Sequence, residues 1–164
     1  MTQSSLRRRP DSSSEAAPPA TVRRQALDYL ARREHGVEEL RRKLLNKGHG
    51  PELVEEVLAV LVQERLLSEQ RFVESFVAAR QSRGEGPLRI QASLRRRGVA
   101  DELIAEHMDA GSEVWRSSIR EVWHKRFRGE PPRDYRERAR QARFLLQRGF
   151  TMEQVTRLLG GKDD

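Results

Sequence analysis

Chemistry in this chain would have to come from four histidines, scattered carboxylates and hydroxyls, and a large stock of arginine, because cysteine is absent. The lack of thiols excludes a disulfide scaffold, a thiolate metal site and a cysteine nucleophile. His35, His49, His107 and His124 do not pair at i+3 or i+4, and no acidic residue completes a familiar zinc spacing. His107 falls on an apolar helix face and reads as a packed residue, while His49, beside Gly48, reads as solvated. Glu38-Glu39 and Glu55-Glu56 read as solvated helix faces. Arg83-Gly84-Glu85-Gly86-Pro87 contains G-x-G but lacks the third glycine, the Lys and the Ser/Thr of a nucleotide loop, so it reads as a turn. Ser117-Ser118 sits mid-helix with no base in evident reach. No catalytic residue, metal ligand or cofactor is expected, and neither is enzymatic activity.

Arginine is what remains. The chain carries 32 Lys plus Arg against 25 Asp plus Glu, a net charge of +7, and only Lys43, Lys47, Lys125 and Lys162 are lysines. Residues 112–164 hold 13 basic and 8 acidic side chains, so most of the excess lies in the last third. Before that point the signs interleave and nearly cancel, as on solvated surfaces. The planar fork of arginine suits phosphate and carboxylate, so the C-terminal excess is open to two readings: attraction to a polyanion, or simple solubility. Single-strand binding usually needs aromatics interleaved with basic residues. Most of the nine aromatics fall in apolar stripes instead. Tyr135, flanked by Arg133, Arg136, Arg138 and Arg140, is the exception and is expected to staple the start of its helix.

The elements that must carry these arginines read as helices with punctuation. Gly48, Gly98 and Gly149 are 50 and 51 residues apart, each four residues after a leucine: Leu44, Leu94 and Leu145. Each also follows a polar or basic last turn, and Gly can take the left-handed conformation that ends a helix. The simplest account is three copies of a three-helix unit of about fifty residues. The helices are expected over 22–35, 37–47 and 51–66, then 69–84, 87–97 and 100–110, then 112–128, 133–148 and 152–159. Pro51 and Pro87 each follow a glycine and suit the first helical position; Thr151 with Gln154 makes a capping box. The apolar spacing is helical throughout, as in Trp115, Ile119, Trp123 and Phe127.

The fold class is therefore all-α: three tandem three-helix repeats at 21–67, 68–111 and 112–164, stacked into an elongated or crescent-shaped rod whose neighbours share buried surface. Residues 1–20, rich in Ser, Pro and Ala, are expected to be a disordered tail. No apolar run is long enough to span a membrane, and the tail lacks the apolar core of a secretory signal.

At the level of motifs the chain resembles the RecX regulatory proteins. Phe72-Val73 through Phe76-Val77-Ala78-Ala79-Arg80, then Gly84-Glu85-Gly86-Pro87-Leu88-Arg89-Ile90 and Gly98-Val99, is similar to their central signature. Glu38-Glu39-Leu40-Arg41-Arg42-Lys43-Leu44 matches the opening, and Gly129-Glu130-Pro131, Arg143-Phe144-Leu145-Leu146 and Arg148-Gly149-Phe150 match the third repeat. The resemblance spans residues 22 to about 159; the Ser/Pro tail is the departure from it. It implies a bacterial, cytoplasmic protein with no catalytic residues. Such a protein lodges in the groove of the RecA recombinase filament on DNA and inhibits its ATP hydrolysis, strand exchange and coprotease activity in recombination, DNA repair and the SOS response.

On that reading the partners are the RecA filament and, secondarily, single- and double-stranded DNA with low sequence specificity, bound by a monomer. The candidate partner-binding residues are Arg80, Arg89, Arg95, Arg96 and Arg97 in the second repeat, and Arg126, Arg128, Arg133, Arg136, Arg140 and Arg143 in the third. For Arg95, Arg96 and Arg97 ordinary helix-end chemistry is a strong alternative explanation. A trihelical DNA-binding module acting without RecA is the rival reading.

Overall fold

A computed structural model describes residues 18–160, which form nine α-helices and no strand. They are α1 (Pro19–Arg32), α2 (Val37–Asn46), α3 (Pro51–Gln63), α4 (Glu69–Ser82), α5 (Pro87–Arg96), α6 (Asp101–His107), α7 (Glu113–Phe127), α8 (Tyr135–Gln147) and α9 (Met152–Leu159). The principal helix contacts fall within the triplets α1–α3, α4–α6 and α7–α9, so the tandem trihelical reading holds. Of the tail expected at 1–20, Pro19 and Ala20 belong instead to α1, and residues 1–17 lie outside the described residues.

The punctuation acts as expected. Gly48, Gly98 and Gly149 all have positive φ, at 91°, 81° and 98°. Pro51 and Pro87 open their helices, and the Thr151–Gln154 capping box is complete. Several helices are shorter than expected, α3 among them, which ends at Gln63, and two of the differences have a visible cause. α6 stops at His107, where Met108 leaves helical geometry (φ −134°, ψ 78°) and Asp109 Oδ1 accepts from Gly111 N at 2.9 Å. α8 starts only at Tyr135, because Asp134 turns extended and caps Glu137 N at 2.8 Å.

The second helix of each repeat is the spine of its unit. α2 buries Leu40 and Leu44, α5 buries Ile90 and Leu94, and α8 buries Gln141 and Leu145. Gln141 stands where the earlier repeats place an apolar residue. A buried amide is tolerable only when hydrogen-bonded. Here Gln141 Oε1 accepts from Trp123 Nε1 at 2.8 Å, and its Nε2 donates to the Glu130 carbonyl at 3.2 Å.

The repeats do not share their cores equally. The second and third form one apolar cluster, running from Phe72 and Val73 through Ile119 to Phe150 and Leu159. The first keeps its own, from Val22 to Leu67. The expected sharing between all neighbours therefore holds only for the second junction. The first is largely polar: Arg71 Nε reaches Glu34 at 2.8 Å, and Val37 N donates to Glu69 Oε1 at 3.3 Å. The second is a backbone seam. Gly86 N donates to the Arg148 carbonyl at 2.7 Å and Leu88 N to the Gly149 carbonyl at 2.9 Å.

His35, in the α1–α2 turn, is 1% exposed. Lys43 Nζ lies 2.9 Å from its Nε2, and its Nδ1 lies 3.0 Å from the Arg33 carbonyl. An ammonium can only donate, so Nε2 accepts and Nδ1 carries the proton: the ring is neutral. Burial, aided by the charges of Arg33 and Lys43, pushes its pKa below the usual 6.5, against the pull of the Arg33 carbonyl and Glu39. The unfolded chain therefore takes up this proton first as pH falls. The stabilisation is complete above about pH 6.5 and is lost as pH falls through the depressed folded value, with a slope of at most about 1.4 kcal/mol per pH unit. Urea midpoints should drop between pH 7.5 and 5.5, and His35→Gln should flatten that drop; an unchanged slope in the variant would move the effect elsewhere.

Candidate partner-binding surface

A cation can attract a partner only if the fold has not already neutralised it. In the first repeat four of the nine cations are neutralised, all of them arginines. Arg23 holds Glu64 at 2.7 Å, Arg33 holds Glu39, Arg41 joins Glu38 and Glu55, and Arg42 reaches Glu38 at 3.1 Å. Glu38 and Glu39 are thus half-buried members of an ion-pair network, not a solvated face. His49 likewise is not simply solvated: its Nε2 lies 2.8 Å from Gln25 Oε1. The third repeat leaves more of its cations without an ion-pair partner. Lys125, Arg126, Arg128, Arg136, Arg138, Arg140, Arg143 and Arg148 make no ion pair with another described residue. Exposed ion pairs contribute little stability, so this contrast bears on the external field and hardly on folding.

Five of the sequence-predicted arginines are tied into two clusters built on aromatic rings. In the second repeat Arg80 and Arg97 lie over Phe76, with guanidinium carbons 4.9 and 4.8 Å from the ring centroid. Arg80 Nη1 also donates to Glu85 Oε1 at 2.9 Å, and Arg89 approaches Glu85 Oε2 at 3.7 Å. Glu85 is buried, and its Oε2 is a buried polar atom without a hydrogen bond. One carboxylate in the α4–α5 turn, read from sequence only as part of that turn, thus lies between two arginines on different helices. In the third repeat Phe127 and Phe144 meet edge-on at 5.5 Å. Arg126 lies 5.4 and 5.7 Å from these two rings, Arg140 lies 5.9 Å from Phe127, and Arg148 lies 5.5 Å from Phe144. Such contacts hold a guanidinium in place without consuming its charge.

Two further candidates, Arg136 and Arg143, form one face with Arg140. Arg136, Arg140 and Arg143, spaced i, i+4 and i+7, line a single groove on α8. The remaining candidates are not gathered. Arg95 is paired with Asp101 at 2.6 Å, Arg96 donates to Ser93 Oγ at 3.1 Å, and Arg133 lies 4.0 Å from Glu130. Arg128 is an exposed left-handed cap, φ 57°, at the end of α7. Tyr135 is 86% exposed, so it does not staple its helix; it stands beside the arginine face as an open aromatic. Sequence reasoning missed Arg83, Lys125 and Arg148, which with Arg126 line a cleft between the second and third repeats. A signal existed: Arg83 and Arg148 each directly precede a glycine at a helix end.

Three family models match in order. The RecX first three-helix domain covers residues 23–61, the second 68–108 and the third 117–159. This chain belongs to the RecX family. Regulatory protein RecX of Pseudomonas syringae pv. tomato is 47% identical over 144 residues, which cover 88% of this chain and 93% of that protein. Regulatory protein RecX of Pseudomonas entomophila is 47% identical over 145 residues, covering 88% and 94%. The crystal structure of RecX from Lactobacillus salivarius superposes with a TM-score of 0.74 at 18% identity, over 87% of this chain and 94% of that one. A second crystal structure of regulatory protein RecX gives 0.72 at 22% identity, over 88% and 72%. At those identities the likeness shows the fold. The RecX family models begin and end inside the helical region, and α1, α4 and α7 each open one of the three units. Among the described residues no helix is long and apolar enough to cross a membrane, and no group of three or more His, Asp or Glu could hold a metal ion.

Proposed function

We propose that this chain binds the RecA recombinase filament on single-stranded DNA. Bound there, it restrains ATP hydrolysis, strand exchange and coprotease activity in the recombination, repair and SOS response of a bacterial cytoplasm. It acts as a monomeric, non-enzymatic regulator without a cofactor. Family membership over most of the chain supports the partner. The observation that carries the surface is the arginine field of the third repeat, which its own carboxylates leave unneutralised. The rod spans several protomers along the filament groove, its α8 face meeting acidic protein surface. Arg80, Arg89 and Arg97, held on Phe76 and Glu85, extend the contact into the second repeat. A bridge between protomers opposes the motions that accompany ATP turnover. Nearby DNA is contacted with low sequence specificity, since guanidiniums directed at phosphates carry no base readout.

The test is DNA-dependent ATP hydrolysis by RecA from the same organism, titrated with this protein. Half-maximal inhibition is expected well below one copy per RecA protomer, as bridging or blocked growth requires. No inhibition together with tight, steeply salt-dependent binding to naked DNA would instead support the DNA-binding module acting without RecA.

A further inference from the structure

Between the second and third repeats lies a cleft of about 390 Å³ into which Arg83, from the end of α4, Lys125 and Arg126, from α7, and Arg148, from the end of α8, converge. Glu121 is the one carboxylate among its lining residues, and none of the four cations makes an ion pair with another described residue. Four unpaired positive charges around one concavity sum to a local positive potential that attracts an anion. The cleft is also not isolated. Arg126 shares the Phe127 ring with Arg140, so the cations continue from Arg83 and Arg148 through Arg126 onto the α8 groove of Arg136, Arg140 and Arg143.

We propose that this cleft seats the phosphodiester backbone of a nucleic-acid strand, with the strand continuing along α8. A continuous track suits a linear polyanion better than a single small phosphate. Arginine forks and a lysine match phosphate oxygens. An acidic peptide would need open apolar anchors beside the cations, whereas of the apolar residues lining the cleft Val122 is buried and Phe144 is covered by Arg126 and Arg148. The inference deepens the DNA-contact part of the function proposed above and rests on it. It does not depend on RecA.

The experiment therefore uses the full chain and a fluorescent oligothymidylate of about thirty nucleotides, with no recombinase present, across about 50 to 300 mM salt. The variant is Arg83→Gln with Lys125→Gln, both exposed positions. Arg24→Gln with Arg32→Gln, two exposed arginines of the first repeat, removes equal charge as a control. Each lost phosphate contact lowers the salt slope for a single strand by about 0.7, so the cleft variant should lose about 1.4 and bind roughly tenfold more weakly at low salt. The control should keep its slope. Equal losses in both variants would mean a diffuse field and overturn the seat, as would an unchanged cleft variant or a wild-type chain that ignores the oligonucleotide. If the cleft variant binds DNA normally but no longer inhibits RecA, the cleft is a protein contact and the inference falls while the regulatory reading stands. Cleft-dependent DNA binding with no RecA inhibition by the wild type would do the opposite: the seat stands and the regulatory reading falls.

Discussion

Gly86→Ala is expected to lower the unfolding free energy by about 3 kcal/mol and the melting temperature by roughly 6–12 °C. The cause is the seam between the second and third repeats. A Cβ on Gly86 would stand 2.3 Å from both the Gly149 carbonyl carbon and Phe150 N. Those are backbone atoms, so no rotamer change relieves the overlap. Gly149 cannot retreat: its φ is +98°, and its own Cβ direction already faces Arg89 N at 2.7 Å. The chain must part instead, giving up the bonds from Gly86 N and Leu88 N, each worth about 1 kcal/mol. The fully buried Phe150 beside them is then loosened. Gly50→Ala is the matched control, since Gly50 has nothing within 4 Å of the added carbon and only an N-cap preference to lose, less than about 1 kcal/mol. Calorimetry on both variants decides. Equal shifts would mean that the seam does not couple the repeats.

That seam marks where sequence reading succeeds and where it stops. Local rules located Gly48, Gly98 and Gly149, because a helix end needing positive φ is a property of a few consecutive residues. The same locality located Pro51, Pro87 and the Thr151–Gln154 box. Nothing local says that Gly86 must be glycine: its φ is an ordinary −83°, and the constraint comes from Gly149, far along the chain. The candidate surface divides in the same way. The excess charge of the last third was legible from composition, and the α8 stripe from its spacing. Which arginines stay unneutralised was not, because the decisive pairings join distant residues, such as Arg71 with Glu34. Arg83 and Arg148 show the same limit: each looks like an ordinary basic helix end until the fold sets Arg148 Nη1 3.4 Å from the Arg83 carbonyl. The unequal sharing of the core was also hidden, since all three repeats carry similar apolar stripes. Only the packing shows Phe72 joining the core of the third repeat while Leu67 closes that of the first.

Reversing the α8 stripe, by Arg136→Glu, Arg140→Glu and Arg143→Glu together, should weaken binding to the RecA filament on the order of 100-fold at low salt. It should also make the remaining binding less sensitive to salt. The fold should survive. The side chains of α8 that build the core are Gln141 and Leu145, whereas the three arginines line an open groove, with Arg140 also 5.9 Å from the Phe127 ring. Position on the helix adds to this. Arg136 is the second residue of α8, where the positive end of the helix dipole disfavours a cation. Positions 136 and 140 carry like charges at i, i+4 both before and after the reversal, so that repulsion does not change. A carboxylate at position 136 removes the clash with the dipole, so the triple variant should melt at or slightly above the wild-type temperature while binding poorly. That opposition separates a binding role from a structural one: a face kept for stability would lose melting temperature together with affinity. Filament binding followed by fluorescence at two salt concentrations, beside a thermal melt, measures both quantities. Unchanged affinity and salt slope would remove the α8 face from the interface and leave the second-repeat cluster of Arg80, Arg89 and Arg97 as the contact to test next.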